Sequence, residues 1–83
     1  MYSNHVSQNK IIAYILIVVK GGCEYSVLEE LRKIEEVKEG FITYGSWDII
    51  VKVETENIER LGFIVTKIRQ MQEVERTETL ICA

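Results

Sequence analysis

The densest concentration of chemistry-bearing side chains is Tyr44-Gly45-Ser46-Trp47-Asp48, which places an aromatic ring, a glycine, a hydroxyl, a second ring and a carboxylate in one short segment. A carboxylate beside exposed backbone amides can grip a small zwitterion. Asp48 would face the ammonium group, and N–H groups of the turn would face the carboxylate. Thr77 and Thr79 could add hydroxyl contacts from the last strand. A structural account competes, in which Gly45 makes the turn, Trp47 packs in the core and Asp48 caps a loop amide. Residue types alone favour the structural account and leave both open.

Other candidates are weaker. The single histidine, His5, lies in a polar stretch with no scaffold to hold partners for acid–base or metal chemistry. Cys23 precedes a helix start, which favours a thiolate, but it lacks a positioned base and has Glu24 beside it. Cys82 stands one residue from the end of the sequence. No loop gathers carboxylates for a hard cation, and Gly21-Gly22 falls short of a phosphate-binding pattern. Neither a catalytic residue nor a metal or cofactor site is expected.

The elements that must position these residues follow from periodicity. Residues 1–10 are mostly polar and aperiodic, and read as a flexible N-terminal arm preceding a single domain over 11–83. Ile11 to Val19 is apolar at nearly every position and rich in β-branched residues, so it reads as a strand covered on both faces. Gly21-Gly22 breaks it. Ser26-Val27-Leu28-Glu29 then reads as a capping box for a helix that buries Val27, Leu28, Leu31 and Ile34, with an i,i+4 pair between Glu29 and Lys33. Val37 to Tyr44 has period two, and a tight Gly45-Ser46 hairpin should lead into a strand from about Trp47 to Glu54.

Thr55 or Asn57 can cap a second helix carrying Ile58, Leu61, Ile64, Val65, Ile68 and Met71 inward. Gly62 within it suggests close packing against a neighbour. Near the C-terminal end of that helix, Arg69 suits the helix dipole. The last strand runs from Val74 to about Cys82. Strand, helix, strand, strand, helix, strand is the order of an α+β, ferredoxin-like βαββαβ sandwich, a four-stranded antiparallel sheet with two helices on one face. Its other face would be lined by Tyr14, Leu16, Val18, Ile50 and Leu80, an apolar patch best covered by a second copy.

Bulk properties bound the remaining choices. Eighty-three residues suit one domain, whose thin core favours self-association as added stabilisation. Ten basic residues interleaved with thirteen acidic ones, net charge −3, do not suit direct nucleic-acid binding. The longest apolar stretch is far short of the about eighteen residues a membrane span requires. It also lacks a cleavage site, and the two cysteines form no disulfide framework, so the expected location is cytoplasmic.

Gly45-Ser46-Trp47-Asp48 followed by Ile49-Ile50-Val51-Lys52-Val53 resembles the Gly-x-Tyr-Asp strand motif of Lrp/AsnC effector domains, also called RAM domains. Glu36-Val37 and Val74-Glu75-Arg76-Thr77-Glu78-Thr79 with Ile81 match the same family, and the similarity covers essentially residues 12 to 82. It implies a homodimer formed through the sheets, assembling into higher oligomers that bind an amino acid or related effector between dimers. Gly45, Trp47, Asp48, Thr77 and Thr79, with Ser46, become the implied ligand contacts.

Two departures from the family pattern are Glu73 in place of a frequent glycine and Trp47 in place of the motif tyrosine, a larger ring that can narrow or fill a pocket. The helix-turn-helix of the family's regulators cannot be formed by residues 1–10, so any influence on transcription would pass through co-assembly with a full-length Lrp/AsnC regulator. A structural oligomerisation partner without a ligand, and a small dimeric α+β barrel enzyme, are the alternatives.

Overall fold

The computed structural model describes residues 10–83. The assigned N-terminal arm, with His5, lies outside the described residues except for Lys10. The elements run β1 (Ile11–Val19), α1 (Glu24–Leu31), β2 (Val37–Ile42), β3 (Ile49–Thr55), α2 (Ile58–Arg69) and β4 (Val74–Ile81). The strands form one antiparallel sheet in the order β2-β3-β1-β4, so β1 and β3 are central as the order of elements predicts.

Alternation sorts the two central strands between the sheet's faces. Ala13, Ile15, Ile17 and Val19 of β1 and Ile49, Val51 and Val53 of β3 are buried. They share one core with Val27, Leu28 and Leu31 of α1 and Leu61, Ile64 and Ile68 of α2. Both helices therefore cover the same face. The residues between them, Tyr14, Leu16, Val18 and Ile50, point to the uncovered face and are only half-buried. Gly40 of β2 is buried because Leu28 of α1 crosses it closely; a Cβ there would lie 2.8 Å from Leu28 Cδ1.

Several local expectations are corrected. Helix α1 begins at Glu24, which puts Ser26 inside its first turn, and the serine hydroxyl donates to the Cys23 carbonyl instead of capping the helix. Because α1 ends at Leu31, Lys33 lies beyond it and pairs with Glu30 at 3.0 Å, not with Glu29. Ile58 is exposed: at 3.6 residues per turn it stands roughly a quarter turn from the midline of the Leu61–Ile64–Ile68 stripe. Asn57 does cap α2, its Oδ1 accepting the Arg60 N–H at 2.8 Å.

Gly62 faces open space, with no atom within 4 Å of a Cβ built there. Among the described residues nothing requires glycine at this position, contrary to the packing its presence suggests. Gly62→Ala is therefore expected to stabilise the fold by about 0.5–1 kcal/mol. Thermal denaturation should show a rise in Tm of about 4–8 °C for each kcal/mol in a domain of this size. An unchanged or lowered Tm would mean that α2 packs closely on another copy there.

One ion pair ties the α1–β2 connection to α2. Arg60 donates Nε and Nη2 to the two carboxylate oxygens of Glu36, the second at 3.1 Å. The guanidinium hydrogen bonds hold the Glu36 carboxyl below the ordinary glutamate value, and its own burial opposes them less strongly. A lowered folded-state value stabilises the fold above the unfolded glutamate value, and that contribution is lost as pH falls through the folded one. Glu36→Gln should flatten the fall of stability with acid in this window, measured by urea denaturation at stepped pH.

Candidate functional site

The segment from Thr43 to Asp48 is a wide loop, not the tight two-residue hairpin the sequence suggests. Strand β2 ends at Ile42 and β3 begins only at Ile49. The loop is closed on itself: the Thr43 N–H donates to the Asp48 carbonyl at 2.8 Å, and the Thr43 hydroxyl donates to the Trp47 carbonyl at 2.6 Å. Gly45 sits within it at φ 144°, a conformation side-chain-bearing residues rarely adopt.

Asp48 is tied to β1 twice. Its N–H donates to the Ile17 carbonyl at 2.9 Å, and its Oδ2 accepts the Val19 N–H at 2.9 Å. The carboxylate thus has a structural role, but not the loop-amide cap the sequence suggests: the amide it satisfies belongs to the last residue of strand β1. Among the described residues its other oxygen has no hydrogen-bond partner, and Asp48 lies at the rim of the loop.

That rim borders an open depression of about 380 Å³, lined by Glu24, Tyr25, Ile42, Thr43, Tyr44, Gly45 and Asp48. Tyr25 is 77% and Tyr44 99% exposed, so two aromatic rings stand ready to be covered. Among the described residues no lysine or arginine lines the depression, and its two carboxylates give it a negative field. Cationic groups are favoured there.

Trp47 and Ser46 do not line that space. Trp47 is half-buried, and it is not a core residue; the Arg76 guanidinium carbon lies 4.4 Å from its ring centroid. Arg76 belongs to β4 and stands opposite Val18. The loop is on the β3 side of β1, so the stacked pair crosses the central strand.

The threonines lie apart from the loop within one subunit. Thr77 is opposite Ile17 and Thr79 opposite Ile15 on the β4 side of β1, in phase with the buried face. Thr77 borders a separate depression of about 280 Å³ with Arg69, Val74, Glu75 and Arg76. The site is thus divided between two flanks of one chain.

All five residues expected on the uncovered sheet face are there. Tyr14, Leu16 and Val18 come from β1, Ile50 from β3, opposite Leu16, and Leu80 from β4, opposite Tyr14. Phe41, opposite Ile50 and 58% exposed, extends the patch onto the edge strand β2. Sequence reading missed it, although burial of Gly40 puts Phe41 on the opposite side by strand alternation. Arg76 was missed as a partner of Trp47 because nothing in the sequence states the β1–β4 register. Among the described residues, no cluster of His, Cys, Asp or Glu could hold a metal, and no helix is long and apolar enough to cross a membrane.

Comparison with known proteins agrees with this architecture. The Lrp/AsnC ligand binding domain family matches residues 12–83. The transcriptional regulator FL11 of Pyrococcus abyssi is 40% identical over 70 residues, which are 84% of this chain and 46% of the regulator. Among solved structures, FFRP-DM1 is 44% identical with a TM-score of 0.84, over 88% of this chain and 99% of that one. Escherichia coli AsnC is 32% identical with a TM-score of 0.80, over 87% of this chain and 50% of that one. The chain spans about half the length of the curated relatives it matches, and those relatives bear the names of regulators, not enzymes. With the βαββαβ order, the uncovered sheet face and the Gly45–Asp48 loop all in place, the chain belongs to the Lrp/AsnC ligand-binding domain family.

Proposed function

We propose that the chain binds an amino acid or related small molecule at the Gly45–Asp48 loop, in contacts between dimers. The observation that carries this is Asp48 itself: its Oδ2 anchors the loop to Val19, and the same residue lines an open depression that exposed Tyr25 and Tyr44 also border. An ammonium group is the natural partner of its carboxylate. Gly45, Ser46 and Trp47 supply the loop backbone around it. Thr77 and Thr79, on the other flank of the subunit, serve a pocket completed by a neighbouring copy.

Pairing uses the uncovered sheet face. Tyr14, Leu16, Val18, Ile50 and Leu80 form an apolar centre, with Lys52 and Glu54 paired at 3.7 Å within the same face. A second copy fits such a face because both signs of charge are already balanced on it. The homodimers then assemble further, and through mixed assembly the chain modulates a full-length Lrp/AsnC regulator, with no direct contact to nucleic acid. Two free thiols, at Cys23 and Cys82, suit a cytoplasmic setting.

Light scattering after size exclusion, with and without millimolar pools of amino acids, tests this reading, with Tm followed in parallel. A mass or Tm that responds to one amino acid supports it. Indifference to every amino acid removes the effector role. That outcome favours a structural oligomerisation partner, a reading supported by the Asp48–Val19 bond and the Trp47–Arg76 stack, which already occupy much of the loop.

A further inference from the structure

We propose that Arg76 is a positioning residue for the Gly45–Asp48 loop, and that its stack on Trp47 couples the loop's conformation to pairing of copies through the uncovered sheet face. This rests on the proposed sheet-to-sheet pairing, and it is independent of which effector, if any, is bound.

The geometry has three parts. First, Trp47 belongs to the loop, and its carbonyl is fixed by the Thr43 hydroxyl immediately before Asp48. The Trp47 ring and the Asp48 carboxylate therefore belong to adjacent residues of one closed loop. Second, the ring is held from outside the loop, by a guanidinium from β4 at 4.4 Å from its centroid. Third, Arg76 is opposite Val18, in phase with Glu78 opposite Leu16 and Leu80 opposite Tyr14. The stack thus lies at the end of the face that a second copy would cover.

Burial changes the strength of this contact. A cation over an aromatic ring gains when water is removed from around it, and a partner sheet removes that water. The difference is about fivefold in an equilibrium constant for one pair, and a twofold-symmetric dimer holds two pairs. Pairing therefore tightens the loop, and by linkage a tightened loop favours pairing. Among the described residues Arg76 forms no ion pair that would compete with the ring for its guanidinium.

Trp47 is the single tryptophan, so its fluorescence reports on the pair directly. The experiment is a dilution series on the full chain and on its Arg76→Gln and Arg76→Lys variants, following mass by light scattering and Trp47 emission together. In the wild-type chain, emission should shift in step with dissociation. Arg76→Gln should weaken pairing roughly twenty-five-fold and abolish the coupled shift, while Arg76→Lys, which keeps a cation, should restore most of both. Circular dichroism confirms that each variant is folded.

A wild-type dimer whose emission ignores dilution, or an Arg76→Gln variant that pairs like the wild type, overturns this inference alone and leaves the proposed pairing standing. A wild-type chain that is monomeric throughout overturns both. Effector binding is read separately by titration of amino acids, so its failure bears only on the ligand.

Discussion

Leu16→Lys is expected to leave the subunit folded and to weaken its pairing by roughly a thousandfold. Leu16 lies at the centre of the uncovered face, between Ile50 of β3 and Glu78 of β4. Its side chain points away from the core, so the substitution opens no internal cavity. Lysine at this position faces Glu78 across the strand pair, an arrangement of opposite charges that sheets tolerate well. In the dimer the consequences differ. Burying a leucine contributes about 2 kcal/mol, and symmetry removes that contribution from both copies. About 4 kcal/mol corresponds to three decades in the dissociation constant. Sedimentation or light scattering over a dilution series measures the shift, with Tm at low concentration as the control for folding. A variant that pairs as the wild type does would show that the copies associate through some other surface.

Substitutions at Asp48 separate anchoring of the loop from recognition of a ligand. Asp48→Asn keeps an oxygen able to accept the Val19 N–H but removes the charge. Its Tm should stay near that of the wild type, while affinity for an amino acid falls roughly 10- to 100-fold, the value of a charge-assisted hydrogen bond. Asp48→Ala also leaves the Val19 amide without a partner at a buried residue. That variant should lose about 1–3 kcal/mol of stability in addition to ligand affinity. Calorimetric titration and thermal denaturation report the two effects independently. If Asp48→Asn binds an amino acid as tightly as the wild type, Asp48 serves only the loop, and the structural account of this segment is the correct one.

The division of labour at Asp48 shows how far residue types alone can reach. The Tyr44–Asp48 segment stands out in the sequence because it gathers chemically capable side chains, and both roles weighed for its carboxylate concern the same atoms. The structure gives the carboxylate a structural partner on strand β1, not in the loop, and leaves its other oxygen without a hydrogen bond among the described residues. Sequence could not choose between the two roles, because the choice depends on a residue 29 positions away. Trp47 illustrates the same limit. Its apolar ring suggests the core, yet the core is already filled by the alternating residues of β1 and β3, and a guanidinium on β4 receives the ring instead.

What the sequence by itself determined is the set of elements and which side of each is apolar. Period two in Ile49 to Glu54 and helical spacing in Leu61, Ile64 and Ile68 are local properties, written within single segments and enforced by burial. With the order of those segments, they also specified the sheet, the helix-covered face and the five apolar residues left uncovered. Only tertiary structure decided the strand registers, the start of α1, the width of the 43–48 loop and the partners of Asp48 and Trp47. The physical reason is range: periodicity acts over a few residues, whereas register and loop closure depend on hydrogen bonds between segments far apart in sequence. The loop could be recognised as chemically capable from its residues, but its geometry is set by β1 and β4.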